Sequence, residues 1–297
     1  MRRFPVLSSA FAVLLGLSAA ATASVVPSFS TIATGAQAPG VWYTDRYAPA
    51  SFSNVGPQHG RSDVLGIGIS SADSQANRSG FSGAFYNTQG RKYDVTGTGV
   101  SRASADLYVP DAWRSAGQNG FRRTDMWGTL TTGDPAAPVD ATYVYPIIGF
   151  TNFGGSARFR GWDGNLGGWN DFAANVLFGS WNTLEWEFDP AGTLKYFVNG
   201  VLAYTDSNLN QSNTSFGPVT QVDNVMFQAF NFHTAYDPGN PFGNPDSGFL
   251  NPASGYDYSA LWSNTPTGAV PLPGTLALVA LGLLTLASAG GRRRSEA

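Results

Sequence analysis

Glu185, Glu187 and Asp189 stand at alternate positions, and Glu185 and Glu187 are the only glutamates between residues 24 and 268. On a strand, alternate residues share a face about 6.6–6.8 Å apart. A retaining glycoside hydrolase needs two carboxyl groups roughly 5–5.5 Å apart, as nucleophile and as acid/base. The spacing is therefore compatible with glycoside chemistry. Asp189, however, is also accounted for by Asp189-Pro190-Ala191-Gly192, which has the residue preferences of a type I turn.

Other reaction chemistries find less support. There is no cysteine, hence no thiol nucleophile and no thiolate metal site. His59 and His233, the only histidines, are too far apart for a zinc motif, and neither Gly-x-Ser-x-Gly nor a phosphate-binding Gly-rich loop is present. A Ser-His-Asp triad would have to assemble in space around one of these two imidazoles. Asp163-Gly164-Asn165 opens like a calcium loop, but Ala174 occupies the position of the bidentate glutamate. Asp237, Asn240 and Asp246 supply hard oxygens in a second loop. These five residues are the candidate Ca2+ ligands, and all five equally suit turns in which Asp or Asn bonds its own backbone. Near these loops lie Trp162, Trp169, Trp181, Tyr236 and Trp262, aromatic faces on which a sugar could stack. Trp162 and Trp169 flank a glycine-rich stretch that would project them.

These residues need a scaffold. Of 297 residues, 42% are hydrophobic, 13% aromatic and only 12% charged, so a core can form and wholesale disorder is excluded. Residues 24–268 carry 12 basic and 19 acidic residues, a formal charge of −7. An acidic body without a basic run disfavours nucleic acid as a partner. The adjacent pairs Arg91-Lys92 and Arg122-Arg123 read as solvated faces.

No long amphipathic helix appears in the body. Val64–Ile69, Phe81–Tyr86, Ala103–Val109, Tyr143–Phe150 and Val222–Phe232 read as strands between Gly, Asn, Asp and Pro breaks. The sharpest local signal runs from Trp181 to Tyr204. Leu184, Trp186 and Phe188 share one strand face and Glu185 and Glu187 the other. The Asp189–Gly192 turn follows, and Asn199-Gly200 marks a type I′ hairpin. Many short strands without a fixed repeat predict one all-β sandwich over residues 24–268.

The Trp181–Tyr204 meander resembles one found in concanavalin A-like folds, which include lectins, laminin-G-like modules and glucanases. The resemblance implies a jelly-roll sandwich of antiparallel sheets, often with a carbohydrate site. The glucanase strand motif of that group, Glu-x-Asp-x-Glu, is absent. The sandwich is accordingly read as noncatalytic, with Trp162, Trp169, Tyr236 and Trp262 as candidate polysaccharide-binding residues.

The two ends read as addresses. Met1-Arg2-Arg3, an apolar run and Ala21-Thr22-Ala23 form a secretory signal peptide over residues 1–23, implying the Sec machinery and signal peptidase as partners. At the other end, Val270-Pro271-Leu272-Pro273 precedes a charge-free segment and then Arg292-Arg293-Arg294. Residues 274–290 would make about 26 Å of helix, marginal for a ~30 Å inner-membrane core, and the arginines should stay cytoplasmic. Residues 269–297 resemble the PEP-CTERM sorting tail of Gram-negative bacteria, with Leu272 where that name implies Glu. The resemblance implies an exosortase as processing partner.

The whole sequence thus reads as an exported cell-surface or extracellular-matrix protein, sorted by its tail, with a carbohydrate-binding sandwich. Two alternatives stand beside this: a structural matrix component with no discrete ligand, and a glycoside hydrolase using Glu185 and Glu187.

Overall fold

Alternating side chains and glycine-marked turns produce strands throughout the computed structural model. It describes residues 24, 26–73, 87–115, 121–133, 144–153, 155–164, 166–207, 209, 218–231 and 257–264. The first strands are β1 (Thr34–Gly35), β2 (Trp42–Thr44), β3 (Ser51–Asn54), β4 (Val64–Ile69), β5 (Thr88–Asp94), β6 (Arg102–Val109) and β7 (Arg123–Thr131). Then come β8 (Ile147–Thr151), β9 (Arg158–Asp163), β10 (Gly168–Asp171), β11 (Ser180–Asp189), β12 (Thr193–Val198), β13 (Val201–Asp206), β14 (Gln221–Phe230) and β15 (Tyr258–Ser263).

They form two sheets. One has the order β1-β2-β5-β14-β7-β8-β9-β10, the other β13-β12-β11-β6-β15-β4-β3. Every strand pair is antiparallel except β1 with β2. Neighbours distant in sequence, such as β5 with β14 and β6 with β15, interleave the chain between hairpins. The expected all-β, concanavalin A-like sandwich is the architecture present. Val64–Ile69 coincides with β4, and the other expected strands lie within a few residues of β6, β8 and β14. Phe81–Tyr86 lies outside the described residues.

The inner faces bury large side chains: Trp42, Trp186, Trp262, Tyr196, Phe150, Phe159 and Phe227 are all at most 1% exposed. Each such ring contributes roughly 1.5–3 kcal/mol or more through burial. Phe227 of one sheet meets Trp262 of the other edge to face, 5.0 Å between centroids. Three side chains also hydrogen-bond across the core. Trp262 Nε1 donates to Thr124 Oγ1 at 3.0 Å, and Tyr258 Oη donates to the Phe230 carbonyl at 2.6 Å. Tyr196 Oη donates to the Trp162 carbonyl at 2.8 Å and accepts from the Ile147 amide at 3.2 Å.

The Trp181–Tyr204 meander folds as its residues dictate. Gly192 N donates to Asp189 O, and the Asp189 carboxylate accepts from Ala191 N at 2.9 Å. Asn199 and Gly200 have φ of 51° and 76°, the left-handed pair that a type I′ turn demands. Leu184, Trp186 and Phe188 face the core, at most 2% exposed.

Among the described residues, no helix is long and apolar enough to cross a membrane. The segment before Ser24 that reads as a signal peptide and the tail that reads as a sorting signal, including Val270, Pro271, Leu272, Pro273, residues 274–290 and Arg292, Arg293 and Arg294, lie outside the described residues.

Candidate functional site

The eight-stranded sheet has a second face, turned away from the core, and this face gathers the chemistry. Period two along β7 sends Arg123, Asp125 and Trp127 to it, while Thr124 and Met126 point inward. Across the sheet, strand register aligns Gly90, Gln228, Asp125, Gly149, Arg160 and Asp171 in one row. A parallel row holds Tyr43, Lys92, Met226, Trp127 and Ile147, continued by the paired Trp162 and Trp169. At ~4.8 Å per strand, the first row is about 24 Å long.

Local packing fixes these groups. Trp127, Ile147 and Met226 form an apolar cluster separate from the core, and Trp162 and Trp169 pack against it. The two tryptophans meet edge to face at 5.3 Å. Tyr196, clamped between Ile147 N and Trp162 O, ties β8 and β9 together beneath them. Gly149 makes room for the Asp125 carboxylate, which lies over the position a Cβ would take. Gly90 does the same for the Gln228 side chain.

Charges are interleaved with the rings. Arg123 Nε binds Asp125 Oδ2 at 2.8 Å, and Arg158 Nε binds Asp171 Oδ2 at 2.7 Å. Asp45 accepts from Gln228 Nε2 at 2.9 Å and pairs with Arg46 at 2.8 Å and Lys92 at 3.3 Å. Arg46 lies over the Trp127 ring at 4.7 Å. Arg160 and Arg123 lie over the Trp169 ring at 3.9 and 4.8 Å. Burial pulls the Arg46 pKa below its ordinary value, with Asp45 the largest opposing influence. The guanidinium still remains charged at neutral pH.

Three polar atoms on this face are buried without a partner among the described residues: Asp125 Oδ1, Gln228 Oε1 and Trp127 Nε1. Their side chains are 1%, 0% and 8% exposed. A buried, unsatisfied polar atom costs about 1–3 kcal/mol, and these three lie beneath the surface of the face, closed off from solvent.

The sequence-based candidates divide accordingly. Trp162 and Trp169 come together on this face. Trp262 does not: it is 0% exposed, its indole spans the core to Thr124, and its assignment to a sugar-stacking surface is corrected. Trp181 sits on the outer face of the other sheet, where its Nε1 donates to the His59 carbonyl at 2.9 Å. Glu185 and Glu187 also lie on that opposite sheet. Glu185 is paired with Arg102, and burial pushes its carboxyl up against the pull of that arginine. Asp163 caps a turn, accepting from Leu166 N at 2.7 Å, and takes the Tyr204 hydroxyl on its other oxygen. Among the described residues, no group of three metal-ligating side chains assembles. Asn165, Tyr236, Asp237, Asn240 and Asp246 lie outside the described residues, as does His233.

Arg122 and Arg123 are not a solvated face. Arg122 is 8% exposed with its guanidinium over Tyr258, and Arg123 is held by Asp125 between two rings. Sequence reading missed Asp45, Arg46, Asp125, Trp127, Arg160 and Gln228. Only Arg123-Thr124-Asp125-Met126-Trp127 carried a signal, a polar-aromatic alternation opposite inward Thr and Met.

No family model matches the chain, and no curated protein matches it. Among solved structures, the chain is similar to a PL7 alginate lyase from Zobellia galactanivorans, at 10% identity and a TM-score of 0.37. That match covers 77% of this chain and 82% of the lyase. It is similar to a kappa-carrageenase from the same organism, at 10% identity and a TM-score of 0.37, covering 78% of this chain and 84% of that one. The carbohydrate-binding module CBM66 from Bacillus subtilis matches at 8% identity and a TM-score of 0.27, covering 64% of this chain and 90% of the module. The class is defined by the two sheets themselves, an all-β sandwich of concanavalin A-like architecture.

Proposed function

We propose that this is an exported surface or matrix protein whose sandwich binds polysaccharide, without cleaving it, on the outer face of the eight-stranded sheet. What supports the reading is the pair Trp162 and Trp169, half-buried on that face and edge to face at 5.3 Å, the ring surfaces there that a sugar can reach. Export through the amino-terminal segment and sorting through Val270–Pro273 and the arginine cluster rest on the sequence pattern.

The test is a polysaccharide-binding panel on the full chain and on Trp162→Ala, which removes a half-buried ring from that face. Losing a stacking contact of about 1 kcal/mol weakens binding roughly five-fold. Retention of full affinity by this variant, or no binding to any polymer, refutes the assignment. Release of reducing ends that disappears in Glu187→Gln would instead establish the hydrolase reading.

A further inference from the structure

The outer face of the seven-stranded sheet carries its own line of rings. Ala105, Leu107 and Val109 of β6 point into the core, which turns Asp106 and Tyr108 outward. Asn182 and Leu184 of β11 do the same for Trp181 and Thr183. Strand register then sets Trp181, Tyr108, Leu261, Gly66 and Ser53 in one row. Gly66 has no side chain of its own, and Val55, 42% exposed, lies over it. Trp181 to Gly66 is three strand spacings, about 14 Å.

A tight turn is laid on this row. His59 and Gly60 have φ of 47° and 80°, and Gln58 and Arg61 close the turn with reciprocal backbone hydrogen bonds of 3.0 and 2.9 Å. A left-handed histidine is strained, so its contacts must hold it there. The His59 imidazole stacks on the Tyr108 ring, 3.6 Å between centroids and 7° between planes. Trp181 Nε1 donates to the His59 carbonyl at 2.9 Å, and the indole meets Tyr108 edge to face at 5.4 Å. His59 is exposed, while Tyr108, Trp181 and Leu261 are half-buried. A polar row runs alongside: Thr183 Oγ1 donates to Asp106 Oδ1 at 2.6 Å, and Arg61 pairs with Asp106 Oδ2 at 2.7 Å. That pairing leaves the Arg61 guanidinium 5.7 Å from the centre of the Trp181 ring.

The size of the strip selects its occupant. One row wide, about 7 Å, and about 14 Å long, it offers roughly 100 Å2. A second copy or another protein needs about 800 Å2 from each partner. A sugar chain needs far less. Its C–H face packs on rings and aliphatic groups, and its hydroxyls both give and take hydrogen bonds with polar groups at the side.

We propose that this strip is a second saccharide-binding surface, and that one protein chain cross-links two polysaccharide strands, one on each outer face of the sandwich. This rests on the polysaccharide-binding reading above and adds a site to it. The two outer faces look in opposite directions, on sheets about 10 Å apart, so a strand lying on one leaves the other open.

The experiment uses xylan, galactan, pectin and a β-glucan, each as polymer and as short oligosaccharide, with the full chain, Trp162→Ala, Trp181→Ala and His59→Asn. Titration calorimetry counts the oligosaccharides bound per chain, and light scattering reads cross-linking of the polymer. Sedimentation without sugar checks that parent and variants share one mass. With the sugar that binds, the full chain should take up two oligosaccharides and raise the scattering of the polymer. Trp162→Ala and Trp181→Ala should each lose one site, still bind polymer through the other face, and no longer cross-link it. His59→Asn keeps a residue that tolerates left-handed φ but removes the ring, so it should weaken the second site roughly five-fold with an unchanged melting temperature. One oligosaccharide per full chain, or scattering by Trp181→Ala equal to that of the parent, overturns this inference and leaves polysaccharide binding intact. Failure to bind any of the four sugars, or any other glycan of the wider panel, overturns both.

Discussion

Gly149 offers a direct test of how the outer face is built. A Cβ added there would lie 2.7 Å from Asp125 Cα and closer still to the Asp125 carboxylate and the Thr124 carbonyl oxygen. Two of these three atoms belong to the backbone of β7, so no rotamer change can clear them. Overpacking of this kind costs about 1–3 kcal/mol, and the backbone contacts place Gly149→Ala in the upper half of that range. For a domain of this size, 1 kcal/mol moves the melting temperature by about 2–4 °C. A fall of roughly 4–12 °C is therefore expected by calorimetry. Gly168 on β10 is the control, because a Cβ there meets nothing within 4 Å. Gly168→Ala should leave the melting temperature unchanged or raise it slightly, through lost freedom in the unfolded chain. If Gly149→Ala melted within a degree of the parent, the Asp125 carboxylate could not be seated over Gly149, and the row of groups argued from strand register would be wrong.

Gly200→Ala should cost about 1–2 kcal/mol in chemical denaturation, since φ of 76° forces a Cβ into the left-handed region. Tyr204 predicts an alkaline effect. Its hydroxyl donates to the Asp163 carboxylate, which raises its pKa from 10 to about 12. The phenol then ionises first in the unfolded chain, so the stability it contributes is present below pH 10 and lost as pH rises from 10 to 12. Unfolding of Tyr204→Phe in that window should release roughly one proton fewer than the parent. An unchanged pH slope of denaturation between 10 and 12 would contradict the hydrogen bond.

Local chemistry made much of the scaffold legible. The Trp181–Tyr204 meander could be read residue by residue because turn types depend on a few side chains and a sign of φ. Val64–Ile69 was equally plain, a short apolar run between breakers. Trp162 and Trp169 were recognisable as a pair because a hairpin of short loop brings them opposite each other. Trp262 was not, since an indole looks the same in sequence whether it spans a core or faces solvent. Its place was decided by Phe227 and Thr124, more than thirty residues away in the chain. The Arg122-Arg123 pair misled for the same reason, its partners lying on β10 and β14 of the same sheet and on β15 of the other.

The sequence by itself determined the strand content, the turns and the two terminal segments that read as addresses, because each depends on composition or on neighbours a few residues apart. The row of Gly90, Gln228, Asp125, Gly149, Arg160 and Asp171 was decided only by tertiary structure. Six strands contribute one residue each, drawn from positions 90 to 228, and no local pattern marks them. Strand order and register, set by the burial of the opposite face, are what turn six scattered residues into one surface.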